Sequence, residues 1–210
     1  MGSSNVIAVI DYGAGNLGSV VNALRSIGHA PVITRKPDDI VKARAVILPG
    51  VGAAGDAMKN LNALGMSDVI RQIVKEKRPL FAICIGLQVL FDETEEGGRH
   101  ICLGIFPGVV KRFPEGLKIP HMGWNQVNQK ITHPVFAGIP DKTNFYFVHS
   151  YYAVPQNASV IAGTTDYGIT FCSAIARDNL IATQFHPEKS GTWGLRLYQN
   201  FLDMALHGKT

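Results

Sequence analysis

Apolar positions fall into two textures along this chain, and the change near Gly104 separates two kinds of predicted element. Before it, Val6-Ile7-Ala8-Val9-Ile10 is an unbroken apolar run, so residues 5–10 predict a strand buried on both faces. The chain then turns through Asp11, Gly13 and Gly15. Leu17, Val20, Val21, Leu24 and Ile27 follow at spacings of three and four, which places one apolar stripe on a helix ended by Gly28. Further strands are predicted around Val32 and Ile33, at 45–48 and at 80–83, with a helix over 68–77. Continuous apolar strands separated by helices predict a doubly wound, mostly parallel sheet with helices on both faces.

After Gly104 the apolar segments are shorter and β-branched or aromatic, at 109–113, 144–148, 159–162, 171–176 and 180–184. The turns between them leave too little room for crossover helices, so an antiparallel extension is expected in the C-terminal half, with Asp178-Asn179 as a tight hairpin turn. A last helix over 193–206 would bury Trp193, Leu197, Phe201 and Met204. No internal repeat is visible. The α/β reading covers residues 1–210 as a single domain.

Composition narrows the function classes. The 46% hydrophobic content suffices for a large core, and 17% charged residues without low-complexity tracts argue against disorder. The net charge of +4 is spread out, and Glu76 interrupts the densest basic group, so nucleic acid is not expected as a partner. No apolar run approaches the roughly 20 residues of a membrane span, and no signal stretch opens the chain. Met1-Gly2-Ser3-Ser4 starts like an acylation site, but Val6 stands where Ser or Thr is wanted. A cytoplasmic protein without a membrane partner is expected. The three cysteines, Cys84, Cys102 and Cys172, suit free thiols, and the histidines form no His-x-x-x-His pair, so neither metal nor cofactor is expected.

Two segments carry candidate chemistry. In Phe81-Ala82-Ile83-Cys84-Ile85-Gly86-Leu87-Gln88 an apolar strand runs straight into a cysteine flanked by small residues at two before and two after. A sharp strand-to-helix turn needs such neighbours to close, so Cys84 is placed at a nucleophile elbow beside the first turn of a helix, whose free N–H groups favour a thiolate. On this segment alone Cys84 reads equally well as a small buried hydrophobe. The second segment, Gln184-Phe185-His186-Pro187-Glu188, offers an imidazole and a carboxylate two residues apart. Proline favours extended geometry before it, and in an extended chain alternate residues face the same way. Together the segments predict a Cys84, His186, Glu188 triad, with the carboxylate orienting the imidazole as base.

At these positions the chain resembles the triad class of glutamine amidotransferases, whose elbow reads Gly-x-Cys-x-Gly-x-Gln and whose later motif is His-Pro-Glu. Ala82 departs from that pattern, standing where the family has Gly. Three further strings are similar to the glutaminase subunits of imidazole glycerol phosphate synthase: Asp11-Tyr12-Gly13-Ala14-Gly15-Asn16, Pro120-His121-Met122-Gly123-Trp124-Asn125, and Tyr146-Phe147-Val148-His149-Ser150-Tyr151. By itself, Trp124 reads as a core residue more readily than as an interface residue.

The resemblance implies hydrolysis of glutamine to glutamate and ammonia, and delivery of the ammonia to a (β/α)₈ cyclase in histidine biosynthesis. It assigns Gln88, Ser150 and Tyr151 to holding glutamine. The backbone N–H of Ile85 and the loop Gly50-Val51-Gly52 are candidate oxyanion donors, although a Gly-rich loop after a strand is also an ordinary turn. Asn16, His121, Met122, Trp124, Asn125 and Lys189 are candidates for the partner-facing surface. Three alternatives stay open: a glutaminase serving an anthranilate, guanylate or pyridoxal phosphate synthase; a binding protein on the same scaffold; and a redox protein with an elbow cysteine.

Overall fold

A computed structural model describes residues 6–208. The expected strand start at Asn5 and the Met1-Gly2-Ser3-Ser4 string lie outside the described residues. The first half runs β1 (Ile7–Ile10), α1 (Leu17–Ser26), β2 (Val32–Thr34), α2 (Pro37–Lys42), β3 (Ala45–Leu48), α3 (Ala54–Ala63), α4 (Met66–Lys75), β4 (Leu80–Ile83) and α5 (Ile85–Gln88). The second half runs β5 (Phe91–Thr94), β6 (His100–Ile101), β7 (Phe106–Arg112), β8 (His121–Gln129), β9 (Thr143–His149) and β10 (Tyr151–Pro155). It ends with β11 (Ile161–Tyr167), β12 (Ile169–Arg177), β13 (Leu180–Thr183) and α6 (Gly191–His207).

The sheet order is β2-β1-β3-β4-β13-β12-β10-β7-β5-β6, and β11, β8 and β9 branch from β12. Strands β2, β1, β3, β4 and β13 pair in parallel, and their inner members are buried at every position, as unbroken apolar runs predict. β2 is the exception: it forms the sheet edge, and its Val32 and Ile33 are 45% and 47% exposed. From β1 the chain steps outward to β2, then returns past β1 to β3 and β4. Right-handed crossovers therefore put α1 on one face and α2, α3 and α4 on the other. That reversal is the topological switch, and the loops at the carboxyl ends of β1, β3 and β4 open beside it.

Several expectations need correction. The segment at 180–184 was expected in an antiparallel hairpin. β13 does turn back from β12 through Asp178, whose φ is 53°, but its other edge joins β4 in parallel, making it the last strand of the parallel set. Residues 158–160 form a 3₁₀ turn, so the strand expected at 159–162 begins at Ile161 instead. Trp193, expected in the core, is 38% exposed, and Met204 is only partly buried; Tyr198 and Phe201 fill that face of α6. Trp124 is 57% exposed, which removes its core reading. Helices α2 and α3 and strands β5, β6, β8 and β10 were not predicted. Among the described residues, no helix is long and apolar enough to cross a membrane.

Candidate active site

Cys84 joins β4 to α5 with φ 53° and ψ −105°, a conformation that costs a non-glycine residue about 1–3 kcal/mol. The surroundings hold it there. Its N–H donates to Thr183 O at 2.7 Å, its carbonyl accepts from Gln88 N at 3.1 Å, and it is 3% exposed. A Cβ on Gly86 would lie 2.3 Å from Leu48 O, and one on Gly50 would lie 2.5 Å from Gly86 N. The elbow and the loop after β3 thus interlock through two glycines that leave no room for a side chain. Ala82 lies fully buried in β4, in register with Leu48 and Ala182, and the elbow closes with it in place. The helix expected after the elbow is a single turn, Ile85–Gln88, so any dipole acting on the sulfur is that of one turn.

His186 is extended before its proline, with φ −102° and ψ 97°, but the chain does not continue extended. Residues Pro187–Lys189 form a 3₁₀ turn that curls Glu188 back. The two side chains meet through that turn rather than through alternation along a strand. Glu188 Oε1 lies 2.8 Å from His186 Nδ1, and both side chains are 1% exposed. His186 Nε2 is buried without a hydrogen-bond partner. Burial by itself would depress the pKa of His186. The negative charge that Cys84 and Glu188 bring close to the ring, with the Glu188 hydrogen bond to Nδ1, outweighs burial and raises the value to about 10.

Supporting groups complete the first ring around these three. Asn16 Nδ2 donates to Glu188 Oε1 at 2.8 Å from the loop after β1, which makes Asn16 a neighbour of the carboxylate rather than simply a surface residue. Ser190 Oγ donates to His186 O at 2.7 Å and accepts from Tyr146 N at 3.0 Å. The Tyr198 phenol is buried near Glu188; burial first and the carboxylate next push its pKa well above the ordinary value, so the phenol keeps its proton, while its hydroxyl and Glu188 Oε2 are both buried without a hydrogen-bond partner. Gln184 Nε2 donates to Cys84 Sγ at 3.5 Å. By contrast Cys102 and Cys172 are buried thiols pushed up to about 12, chiefly by burial, as expected of packed hydrophobes.

Cys84 and His186 open into a cavity of about 250 Å³. Val51, Gly52, Ile85, Gln88, Ser150 and Tyr151, all predicted site residues, line it. Gly50 does not line it and serves instead as the spacer against Gly86. Gln88 Nε2 donates to Tyr151 O at 3.0 Å and to Gln184 Oε1 at 3.2 Å, which leaves Gln88 Oε1 buried with no partner. Glu96 and His149 also line the cavity and were not predicted. Glu96 is partly buried, accepts from Ala54 N at 2.7 Å, and has a pKa raised mainly by burial. Glu96 lies in the acidic stretch Glu93-Thr94-Glu95-Glu96, which has no pattern to distinguish it, whereas Gln184 and His149 sit inside strings already singled out.

The surface candidates divide. Met122 and Trp124 point outward from β8 at 65% and 57% exposure, and Lys189 is exposed. Trp124 meets the Tyr146 ring edge-on at 6.2 Å, and Lys189 Nζ lies 5.8 Å from the centroid of the same ring. His121 corrects the expectation: it points inward, is 3% exposed, and stacks on Tyr167 at 4.1 Å. Asn125 is partly buried beside it. Among the described residues, no group of three or more His, Cys, Asp or Glu side chains is arranged to hold a metal ion.

Known proteins are similar to this chain in sequence and in fold. The family model for class-I glutamine amidotransferases matches residues 8–205. Imidazole glycerol phosphate synthase subunit HisH of Dehalococcoides mccartyi strain CBDB1 is 58% identical over 204 residues, spanning 97% of this chain and 100% of that protein. The protein of the same name from Moorella thermoacetica is 51% identical over 201 residues, spanning 96% of each. Among solved structures, a glutamine amidotransferase superposes with a TM-score of 0.71 at 22% identity, covering 94% of this chain and 98% of the other. PurLQS from Thermotoga maritima gives 0.72 at 18% identity, covering 94% and 97%; at these identities the likeness concerns the fold.

Proposed function

The chain belongs to the class-I glutamine amidotransferase family, and we propose that Cys84, His186 and Glu188 are the groups with which it hydrolyses glutamine. It is a glutaminase subunit of imidazole glycerol phosphate synthase and works in histidine biosynthesis. The observation that carries the residue assignment is the buried imidazole: Nδ1 is engaged by Glu188, while Nε2 has no hydrogen-bond partner and shares a cavity with the Cys84 sulfur.

With the imidazole favouring its protonated form beside the sulfur, the thiolate attacks the side-chain amide carbon of glutamine. The oxyanion that forms needs donors, and the backbone N–H of Ile85 and the Val51-Gly52 edge of the cavity are the candidates. His186 then protonates the departing ammonia. A water activated by the same ring attacks the γ-glutamyl thioester and releases glutamate, returning the sulfur to its starting state. Gln88 Oε1, buried and unpartnered, is an acceptor for a substrate N–H, and the Glu96 carboxylate suits the α-ammonium of an amino acid. Ser150 and Tyr151 line the same cavity, and the Tyr151 carbonyl accepts from Gln88.

The partner proposed is a (β/α)₈ cyclase that consumes the ammonia, docked on the surface carrying Met122, Trp124 and Lys189. The test is Cys84→Ser in the assembled synthase. Glutamine-dependent product formation should fall at least about a thousandfold, while the reaction driven by added ammonia keeps its rate. Retention of glutamine-dependent turnover would remove Cys84 as the nucleophile.

A further inference from the structure

Beside Ser150 and Tyr151 lies a pair of buried histidines, His149, which lines the cavity, and His121, and neither takes a part in the hydrolysis described above. Nδ1 of His149 is 2.8 Å from the Tyr151 carbonyl oxygen. Nε2 of His149 is 3.0 Å from Nδ1 of His121, and Nε2 of His121 is 3.2 Å from Nδ2 of Asn125. Hydrogen positions in such a chain are usually ambiguous, but here both ends are tied to backbone groups whose roles cannot reverse. A carbonyl only accepts, so His149 carries its proton on Nδ1 and presents a lone pair at Nε2. His121 must then donate from Nδ1 and present its own lone pair at Nε2.

The far end agrees independently. Asn125 Oδ1 accepts from the Gln126 N–H at 2.8 Å, and Nδ2 donates to Asp166 O at 3.0 Å, so the amide faces His121 with its NH₂. Every donor in the line meets an acceptor, in one direction only. The surroundings favour neutral rings: His121 is stacked between Tyr167 at 4.1 Å and Phe147 at 4.9 Å. Burial lowers the pKa of His121 to about 4 and is the largest cause holding His149 at about 3.

We propose that His149 and His121 are positioning residues for glutamine: the one-way hydrogen-bond chain from Asn125 through both imidazoles holds the Tyr151 carbonyl, to which Gln88 is itself bonded. The consequence lies in that shared oxygen. Gln88 Nε2 donates to it at 3.0 Å, so the orientation of Gln88, and with it the unpartnered Oε1 proposed above as an acceptor for substrate, depends on where the two imidazoles hold Tyr151. Both histidines belong to strings that otherwise contribute either surface or substrate contacts, and the chain joins the two strings across the β8 and β9 pairing His121↔His149. The inference rests on the glutaminase reading above, and its tests separate the two.

The amide nitrogen of an asparagine side chain can replace Nδ1 of a histidine, whereas that of glutamine replaces Nε2. His121→Asn therefore retains donation to His149, and His121→Gln does not. In the assembled synthase, His121→Gln should raise the KM for glutamine about tenfold, the scale of one lost buried hydrogen bond, while ammonia-driven turnover stays within about twofold. His121→Asn should keep KM within about threefold of the parent. A merely structural role would lower thermal stability and both activities together in the two variants alike. Histidine ¹⁵N spectra of the parent chain supply a readout that needs no turnover: His121 and His149 should both be neutral with the proton on Nδ1. Equal KM values in the two variants, or Nε2-protonated rings, would overturn the positioning role. A parent chain that shows the Nδ1 pattern but hydrolyses no glutamine would instead overturn the glutaminase reading.

Discussion

Three buried histidines of this chain have opposite relations to protons, and the signs follow from what each ring faces. An unfolded histidine titrates near about 6.5. His186 is raised to about 10, so the folded state binds its proton more tightly; that stabilisation is complete below about 6.5 and is lost as pH rises through about 10. His121 and His149 are depressed to about 4 and about 3, so the unfolded chain protonates first, and stability is lost as pH falls below about 6.5 toward those values. Thermal melts across pH 4 to 10 should therefore decline on both sides of neutrality. His121→Asn should flatten the acid side, and His186→Asn the alkaline side; unchanged profiles would contradict these assignments. At this scale the placement of Cys84 at an elbow and of His186 before a proline at a strand end was legible, because strand ends with small or proline neighbours leave a local signature. Glu96 and Gln184 were not, because their roles arise only from what packs against them.

Among the elements, the junction of the 3₁₀ turn Pro187–Lys189 with α6 sets the geometry of the proposed triad. A Cβ on Gly194 would fall 1.9 Å from Pro187 O and 2.7 Å from Pro187 C, both backbone atoms that cannot swing aside. Gly194→Ala must push α6 away from the turn and carry Glu188 with it. We expect a loss of about 3 kcal/mol in denaturant unfolding, together with a fall in kcat for glutamine. Gly191→Ala is the control: its φ is 58° but nothing lies within 4 Å, so only backbone strain of about 1 kcal/mol is expected, with kcat kept. Parallel strands and the amphipathic α1, α4 and α6 were readable from period and run length. Helix α3, with sequence AGDAMKNLNA, was not, since its glycine and asparagines dilute the apolar stripe. β8 was missed for a related reason: its inward residues include His121 and Asn125, which do not read as a strand's apolar face.

For the molecule as a whole, the exposed face of β8 and Lys189 share one surface around Tyr146. A tryptophan held 57% open to solvent costs little to remove from the isolated chain and much to remove from an interface. Trp124→Ala should leave the melting temperature of the isolated chain within about two degrees, and weaken binding to the proposed cyclase by a factor of about thirty in titration calorimetry, the size of a 2 kcal/mol contact. Unchanged affinity would move the docking surface elsewhere. The topology explains why this surface and the cavity lie close together: the string 121–125 turns its alternate side chains outward to solvent and inward to the histidine pair.

The sequence by itself determined the apolar strands β1, β3 and β4, the elbow at Cys84 and the His186-Glu188 pair proposed as its base and carboxylate, because each depends on neighbours within a few residues along the chain. Only the tertiary structure decided that Glu188 reaches His186 through a turn, that Asn16 bonds to that carboxylate, that Gly50 is a spacer, and that His121 faces inward. Those facts depend on contacts between residues distant in the chain, where local periodicity carries no information about which side chains will meet or which protons they will share.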